Sequence, residues 1–187
     1  NQGDYVTASH YFTSYYNTYP NGTYTELARF HSGKALFLDT PEPRLDQSST
    51  FSAISELQMF MEYFPASKRK TEAQQMIFEL QDKLVMKDYL SAKLYYDLGT
   101  YVGNSSQTAD GRINGNNFLA CITTAQNALK DYPYTSMREE ISILLLRAKH
   151  KLGSESVLEK KEERMRETID EYYAFKNEFP ESKYMKE

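Results

Sequence analysis

The stretch Ala53-Ile54-Ser55-Glu56-Leu57-Gln58-Met59-Phe60-Met61-Glu62-Tyr63-Phe64-Pro65-Ala66-Ser67 decides the fold. Ala53, Leu57 and Phe60 stand 12, 8 and 5 residues before Pro65, a spacing that aligns them on one helical face. Proline disfavours helical geometry in the residue before it and so ends the segment. The pattern recurs at Tyr19-Pro20, Tyr132-Pro133 and Phe179-Pro180. Counting back from those prolines gives Ala8/Phe12/Tyr15, Cys121/Ala125/Ala128 and Thr168/Tyr172/Phe175. The small first member lets a neighbouring helix approach closely. Ser67, Thr135 and Ser182, two residues after three of the prolines, read as N-caps of the next helix. In the first repeat, Thr23-x-x-Glu26 reads as a capping box. A helix, a tight proline corner and a capped helix make a helical hairpin.

The four prolines lie 45, 68 and 47 residues apart, and the middle spacing is twice the tetratricopeptide period of about 34 residues. Helices are predicted over 4–19, 23–38, 48–63, 67–86, 88–101, 115–131, 135–152 and 155–178. The expected fold is therefore all-α, a tetratricopeptide-like α-solenoid of about eight antiparallel helices. Residues 1–187 form a single array in this reading, truncated at both ends, because the chain opens and stops mid-pattern. Loop insertions are placed at 39–49 and 103–117. Inserted loops in solenoids tend to gather on one face, sometimes the binding face, but a tolerated surface insertion is the preferred reading.

Composition excludes several classes. The 187 residues carry 22 Lys and Arg against 26 Asp and Glu, a formal charge of -4. That balance gives no electrostatic reason to expect nucleic acid. The longest apolar run, Ile143 to Leu146, is far short of the roughly 20 residues of a membrane-spanning helix. With 8 Gly and 6 Pro, punctuation is too sparse for a many-stranded β protein. The single cysteine, Cys121, forbids an intramolecular disulfide or a cysteine-built zinc site.

No catalytic or metal constellation is visible, and no cofactor is expected. His10, His31 and His150 fall in separate helices without metal-ligand spacing. His31 shares the apolar stripe of Leu27 and Phe30 and reads as a packed histidine. Cys121 occupies a small-residue stripe position and reads as core rather than nucleophile. Asp110-Gly111-Arg112-Ile113-Asn114-Gly115 lacks the spacing and closing Glu of a calcium loop. The tyrosines divide. Tyr5, Tyr15, Tyr19, Tyr89, Tyr96 and Tyr172 sit on the stripe and read as packing. Tyr11, Tyr95 and Tyr134 lie off it with no evident core role. Exposed aromatics supply contact area at low entropic cost, so these three are candidate partner-binding residues.

Four strings carry a resemblance. They are Gly3-x-Tyr5-x-x-Ala8-x-x-x-Phe12 with Tyr19-Pro20, and Phe60-x-x-x-Phe64-Pro65-x-Ser67 with Glu72-Ala73. The others are Lys87-Asp88-Tyr89-x-x-Ala92-x-x-Tyr95-Tyr96-x-x-Gly99-x-Tyr101, and Asn127-Ala128-Leu129-x-Asp131-Tyr132-Pro133-x-Thr135. Together they resemble the BamD family, tetratricopeptide lipoproteins of the outer-membrane β-barrel assembly machinery. The 103–117 loop lengthens a corner that is short in that family. The resemblance implies a non-enzymatic scaffold at the periplasmic face of the bacterial outer membrane. It would be held there by a lipid anchor outside residues 1–187. The implied partners are the barrel-forming BamA-like subunit and unfolded outer-membrane proteins. Family members contact that subunit through their C-terminal half, including an arginine just past the Tyr-Pro-x-Thr corner. Arg138 is the nearest equivalent, one residue out of register. Another tetratricopeptide adaptor with a different protein or peptide partner is the alternative reading. A helical glycan-cleaving enzyme, which would need a carboxyl of raised pKa in a cleft, is the third.

Overall fold

A computed structural model describes residues 3–101 and 116–186. Seven α-helices account for most of them: α1 (Tyr5–Thr18), α2 (Thr25–Asp39), α3 (Ser48–Tyr63), α4 (Lys70–Leu98), α5 (Asn117–Asp131), α6 (Arg138–Ser154) and α7 (Leu158–Glu178). A 3-10 turn, η1 (Lys183–Lys186), follows. No strand occurs among the described residues, and the fold is all-α as expected. The helix count is seven rather than about eight, because the segments predicted at 67–86 and 88–101 are one helix, α4. Nothing between Val85 and Tyr89 can break it. The junction is Met86-Lys87-Asp88, with no proline to remove a donor and no glycine to loosen the backbone. The helix stops instead at Gly99, in the left-handed region at φ 53, where its N–H reaches the carbonyls of Tyr95 and Tyr96 at 3.1 Å. Glycine takes that conformation without the Cβ penalty other residues meet. Most of the 103–117 loop, residues 103–115, lies outside the described residues.

The four aromatic–proline corners are near-copies of one another. The C-cap residues Tyr19, Phe64, Tyr132 and Phe179 have φ, ψ of -125, 67; -127, 62; -128, 68; and -127, 62. Each donates its N–H to the carbonyl four residues back. Ser67, Thr135 and Ser182 do accept from the backbone, but from the N–H two residues on, at 3.1, 3.2 and 3.1 Å. Their hydroxyls close the corner itself, and α4 and α6 start two residues later than an N-cap at Ser67 or Thr135 would place them. The Thr23 capping box does not form: α2 begins at Thr25 with Tyr24 as cap and no side-chain cap bond. Glu26 accepts instead from Ser67 Oγ at 2.7 Å. Its counterpart Glu139 accepts from Ser182 Oγ at 2.6 Å. A corner hydroxyl is thus tied to the first turn of the helix before last, twice over.

Contacts divide the chain into two compact units, up to Leu84 and from Val85 onward. In the first, Phe30 of α2, Ala53, Leu57 and Phe60 of α3, and Ala73, Met76, Ile77 and Leu80 of α4 form the core. The expected stripe of α3 is completely buried. The stripe of α1 is displaced. Ser9 is buried rather than Ala8, and its hydroxyl bonds that of Ser32 at 3.0 Å. Tyr16 is buried too, donating its hydroxyl to Glu56 Oε1 at 2.8 Å. The 39–49 insertion closes on itself. Gln47, buried, donates to the carbonyls of Glu42 and Leu45, and Thr50 donates back to it at 2.8 Å. In the second unit, Val85, Ala92, Phe118, Cys121, Ala125, Ala128, Ile141, Leu145 and Ala148 are among the core residues. Among the described residues, every buried side-chain N or O has a hydrogen-bond partner.

Candidate protein-binding site

The corner between α5 and α6 is built from its C-cap outward. Tyr132 is half-buried against the second core. Burial, and then the negative charges of Asp88 and Asp131, push its hydroxyl pKa up. Pro133 turns the chain, and Thr135 holds the turn through the N–H of Met137. Tyr134, between them, is 89% exposed. The residues at its place in the other three corners are Asn21, Ala66 and Glu181. A corner of this geometry therefore does not need an aromatic side chain there.

Arg138 opens α6 and is already engaged within the chain. Its Nε and Nη2 donate to the two carboxylate oxygens of Glu178, at the end of α7, and its Nη1 donates to the Pro133 carbonyl at 3.2 Å. The planar fork thus joins the first turn of α6 to the last turn of α7. This is neither a free cation nor a pairing within its own helix. Lys183 lies 3.8 Å from Glu140 on the same side.

The other two candidates lie elsewhere. Tyr11, on α1, is 70% exposed and meets the His10 ring in an edge-on pair. Tyr95 has a core role that its off-stripe position concealed: it packs, half-buried, against the second core. Three stripe tyrosines depart from expectation in the opposite sense, with Tyr5, Tyr19 and Tyr172 all exposed.

The structure also shows features with no sequence signal. Arg29 is sandwiched between the rings of Tyr16 and Tyr63, 4.1 and 4.0 Å from their centroids, a desolvating cation–π arrangement. A groove of about 470 Å³ opens between α6 and α7. His31 stacks on Phe12 with centroids 5.5 Å apart. Burial, and then Lys34 and Arg69, hold its pKa below the usual value, so it is a neutral packing group. Among the described residues no cluster of His, Cys, Asp or Glu could hold a metal ion. No helix among them is long and apolar enough to cross a membrane.

Residues 1–109 match the family model described as YfiO, outer membrane lipoprotein, more than half of the 187 residues. The chain belongs to that family. No curated protein matches it. The match covers the whole first unit and ends before α5. The corner at Pro133 lies beyond it and is read from its own geometry.

Proposed function

We propose that this chain is a BamD-type scaffold of the outer-membrane β-barrel assembly machinery, without enzymatic activity of its own. It binds the barrel-forming subunit and, as a second class of partner, unfolded outer-membrane proteins. It works at the periplasmic face of the outer membrane, held by a lipid anchor outside residues 1–187. The observation that carries the proposal is the outer membrane lipoprotein match over residues 1–109. The strings at 87–101 and 127–135 add the BamD-like detail. Both units are built to one hairpin plan, which supports reading 1–187 as a single tetratricopeptide array.

Tyr134 is the anchor of the proposed contact surface. An aromatic ring that its own fold leaves almost wholly in water gains most from burial against a partner. Arg138 lies four residues on in the same corner, and a partner carboxylate would reach it by sharing or displacing Glu178. Tyr11 offers a second exposed ring on α1, and Tyr95 contributes its uncovered edge. The test is direct binding. Purified protein and purified barrel-forming subunit, in detergent, are run together by size-exclusion chromatography. Co-elution at a fixed stoichiometry is expected. Separate elution at micromolar concentrations of both would overturn the assignment to this machinery.

A further inference from the structure

Arg29 of α2 belongs neither to the core of the first unit nor to the surface around Tyr134. Its guanidinium lies between the rings of Tyr16 on α1 and Tyr63 on α3, 4.1 and 4.0 Å from their centroids. Both of its flat faces are therefore covered. Its edges are not. Among the described residues, Arg69, Arg138, Arg164 and Arg166 each donate to an oxygen, whereas Arg29 donates to none. No buried side-chain nitrogen among them lacks a partner, so the unpaired N–H groups of Arg29 open to water. Glu56 is the carboxylate of this cluster. It accepts the Tyr16 hydroxyl at 2.8 Å and makes no ion pair with Arg29.

A guanidinium with covered faces and open edges is an oxyanion fork set in advance. The arginine fork is planar and matches the two oxygens of a carboxylate. Here two rings fix its plane before any ligand arrives, which lowers the ordering cost of binding. Cation–π contact holds the charge in place without neutralising it. The Glu56 charge then selects among oxyanions. Coulomb repulsion opposes a phosphate dianion about twice as strongly as a monoanion at the same place, so a carboxylate suits the site better. Met59, one turn before Tyr63 on α3, is exposed beside it, at 37% against 62%. The wall of the fork thus continues as apolar surface.

We propose that the Tyr16–Arg29–Tyr63 stack is a binding site for a carboxylate carried by a polypeptide partner. The carboxylate accepts two parallel N–H bonds from the edge of Arg29. An apolar side chain next to it in the partner rests on Tyr63 and Met59. The carboxylate comes from an acidic side chain or from a chain terminus. The site lies wholly in the first unit and does not depend on the contact at Tyr134.

The experiment titrates four probes into isotope-labelled protein. They are acetyl-Phe-Asp-amide, acetyl-Phe with its free carboxylate, acetyl-Phe-Asn-amide and inorganic phosphate. Binding is followed by NMR at the Arg29 Nε–Hε group and at the backbone amides of residues 29 and 63. At least one of the two carboxylate probes should shift these signals saturably, and the tighter of them identifies the source. The Asn probe should bind at least about tenfold more weakly, as expected for the loss of a charged hydrogen-bond pair. Arg29→Gln should weaken carboxylate binding by a similar factor, with thermal melts confirming the fold. Tyr63→Leu keeps the cation, removes one exposed wall and should weaken binding too. Arg29→Lys keeps the charge without the fork and should not reach wild-type affinity. Equal binding of the Asp and Asn probes would make the stack a purely structural contact and overturn the proposal. So would phosphate binding tighter than either carboxylate, wild-type affinity in the folded Arg29→Lys protein, or no saturable shift by any probe. Such a failure with intact co-elution of the barrel-forming subunit would remove this site and leave the proposed function standing.

Discussion

Gly33 of α2 lies against Leu57 so closely that a Cβ at Gly33 would come within 2.7 Å of Leu57 Cδ2 and 2.9 Å of Cγ. Leu57 is fully buried and has nowhere to move. Alanine has the higher helix propensity by about 1 kcal/mol, but overpacking a filled core costs about 1–3 kcal/mol. Gly33→Ala should therefore destabilise the protein. Gly153 of α6 makes the opposite case. Its Cβ would meet Met165 Sδ at 2.8 Å, the flexible end of a side chain that is only partly buried. Gly153→Ala should be neutral or stabilising by up to about 1 kcal/mol. Denaturant titrations of both variants check the contrast; equal effects of the same sign would contradict the packing described. Cys121 yields a chemical readout at the same scale. Burial, and secondarily the charge of Asp97, push its thiol pKa up to about 11, and a thiolate is needed for reaction. A disulfide reagent at neutral pH should label it only as fast as the protein unfolds. Burst labelling of the native protein would show that Cys121 is not the core residue it is here.

The corners explain why elements were more legible than their boundaries. Aromatic–proline pairs reported the ends of α1, α3, α5 and α7, because proline acts on its neighbour through local sterics alone. The starts were read less well. Ser67, Thr135 and Ser182 can cap a helix or close a turn with the same hydroxyl, and the chain around them does not say which. The missing break at Met86-Lys87-Asp88 is similar: a charged pair can open a helix or sit within one. Asp88 is placed by that continuity beside the end of α5. Burial first, and then the Asp131 charge, raise its carboxyl pKa. A carboxyl whose pKa is raised by folding favours the folded state when protonated, and that contribution is lost as pH rises through the folded pKa. Asp88→Asn should accordingly raise the melting temperature at pH 7, and the gain should vanish at acid pH where Asp88 is itself neutral. An equal gain at both pH values would remove the charge from the explanation. The α1 stripe was misread by one residue because Ser9 and Ser32 satisfy each other in the core. A hydroxyl pair across two helices leaves no trace in a single apolar pattern.

At the scale of the molecule, two units repeat one plan: α1, α2, α3 and the start of α4, then α5, α6, α7 and η1. That duplication was visible as four prolines. The proposed site was visible only in part. Tyr134 was legible because a corner so short has no interior to hide a ring. Tyr95 was not, because the continuous α4 turns it toward a core that the two-helix reading did not have. Arg138 was named through the resemblance alone, and its partner Glu178 lies 40 residues away, beyond any local pattern. Under the proposed function, Tyr134 would carry the partner contact, while Arg138 ties the start of α6 to the end of α7 through Glu178. The deciding measurement is the dissociation constant for the barrel-forming subunit, measured in detergent for wild type and Tyr134→Ala, with circular dichroism confirming the helical fold of both. A central aromatic anchor is worth about 2 kcal/mol or more on truncation, and a factor of ten corresponds to about 1.4 kcal/mol. The dissociation constant should rise by more than about tenfold while the helical signal is unchanged. An undiminished affinity in the folded variant would contradict it.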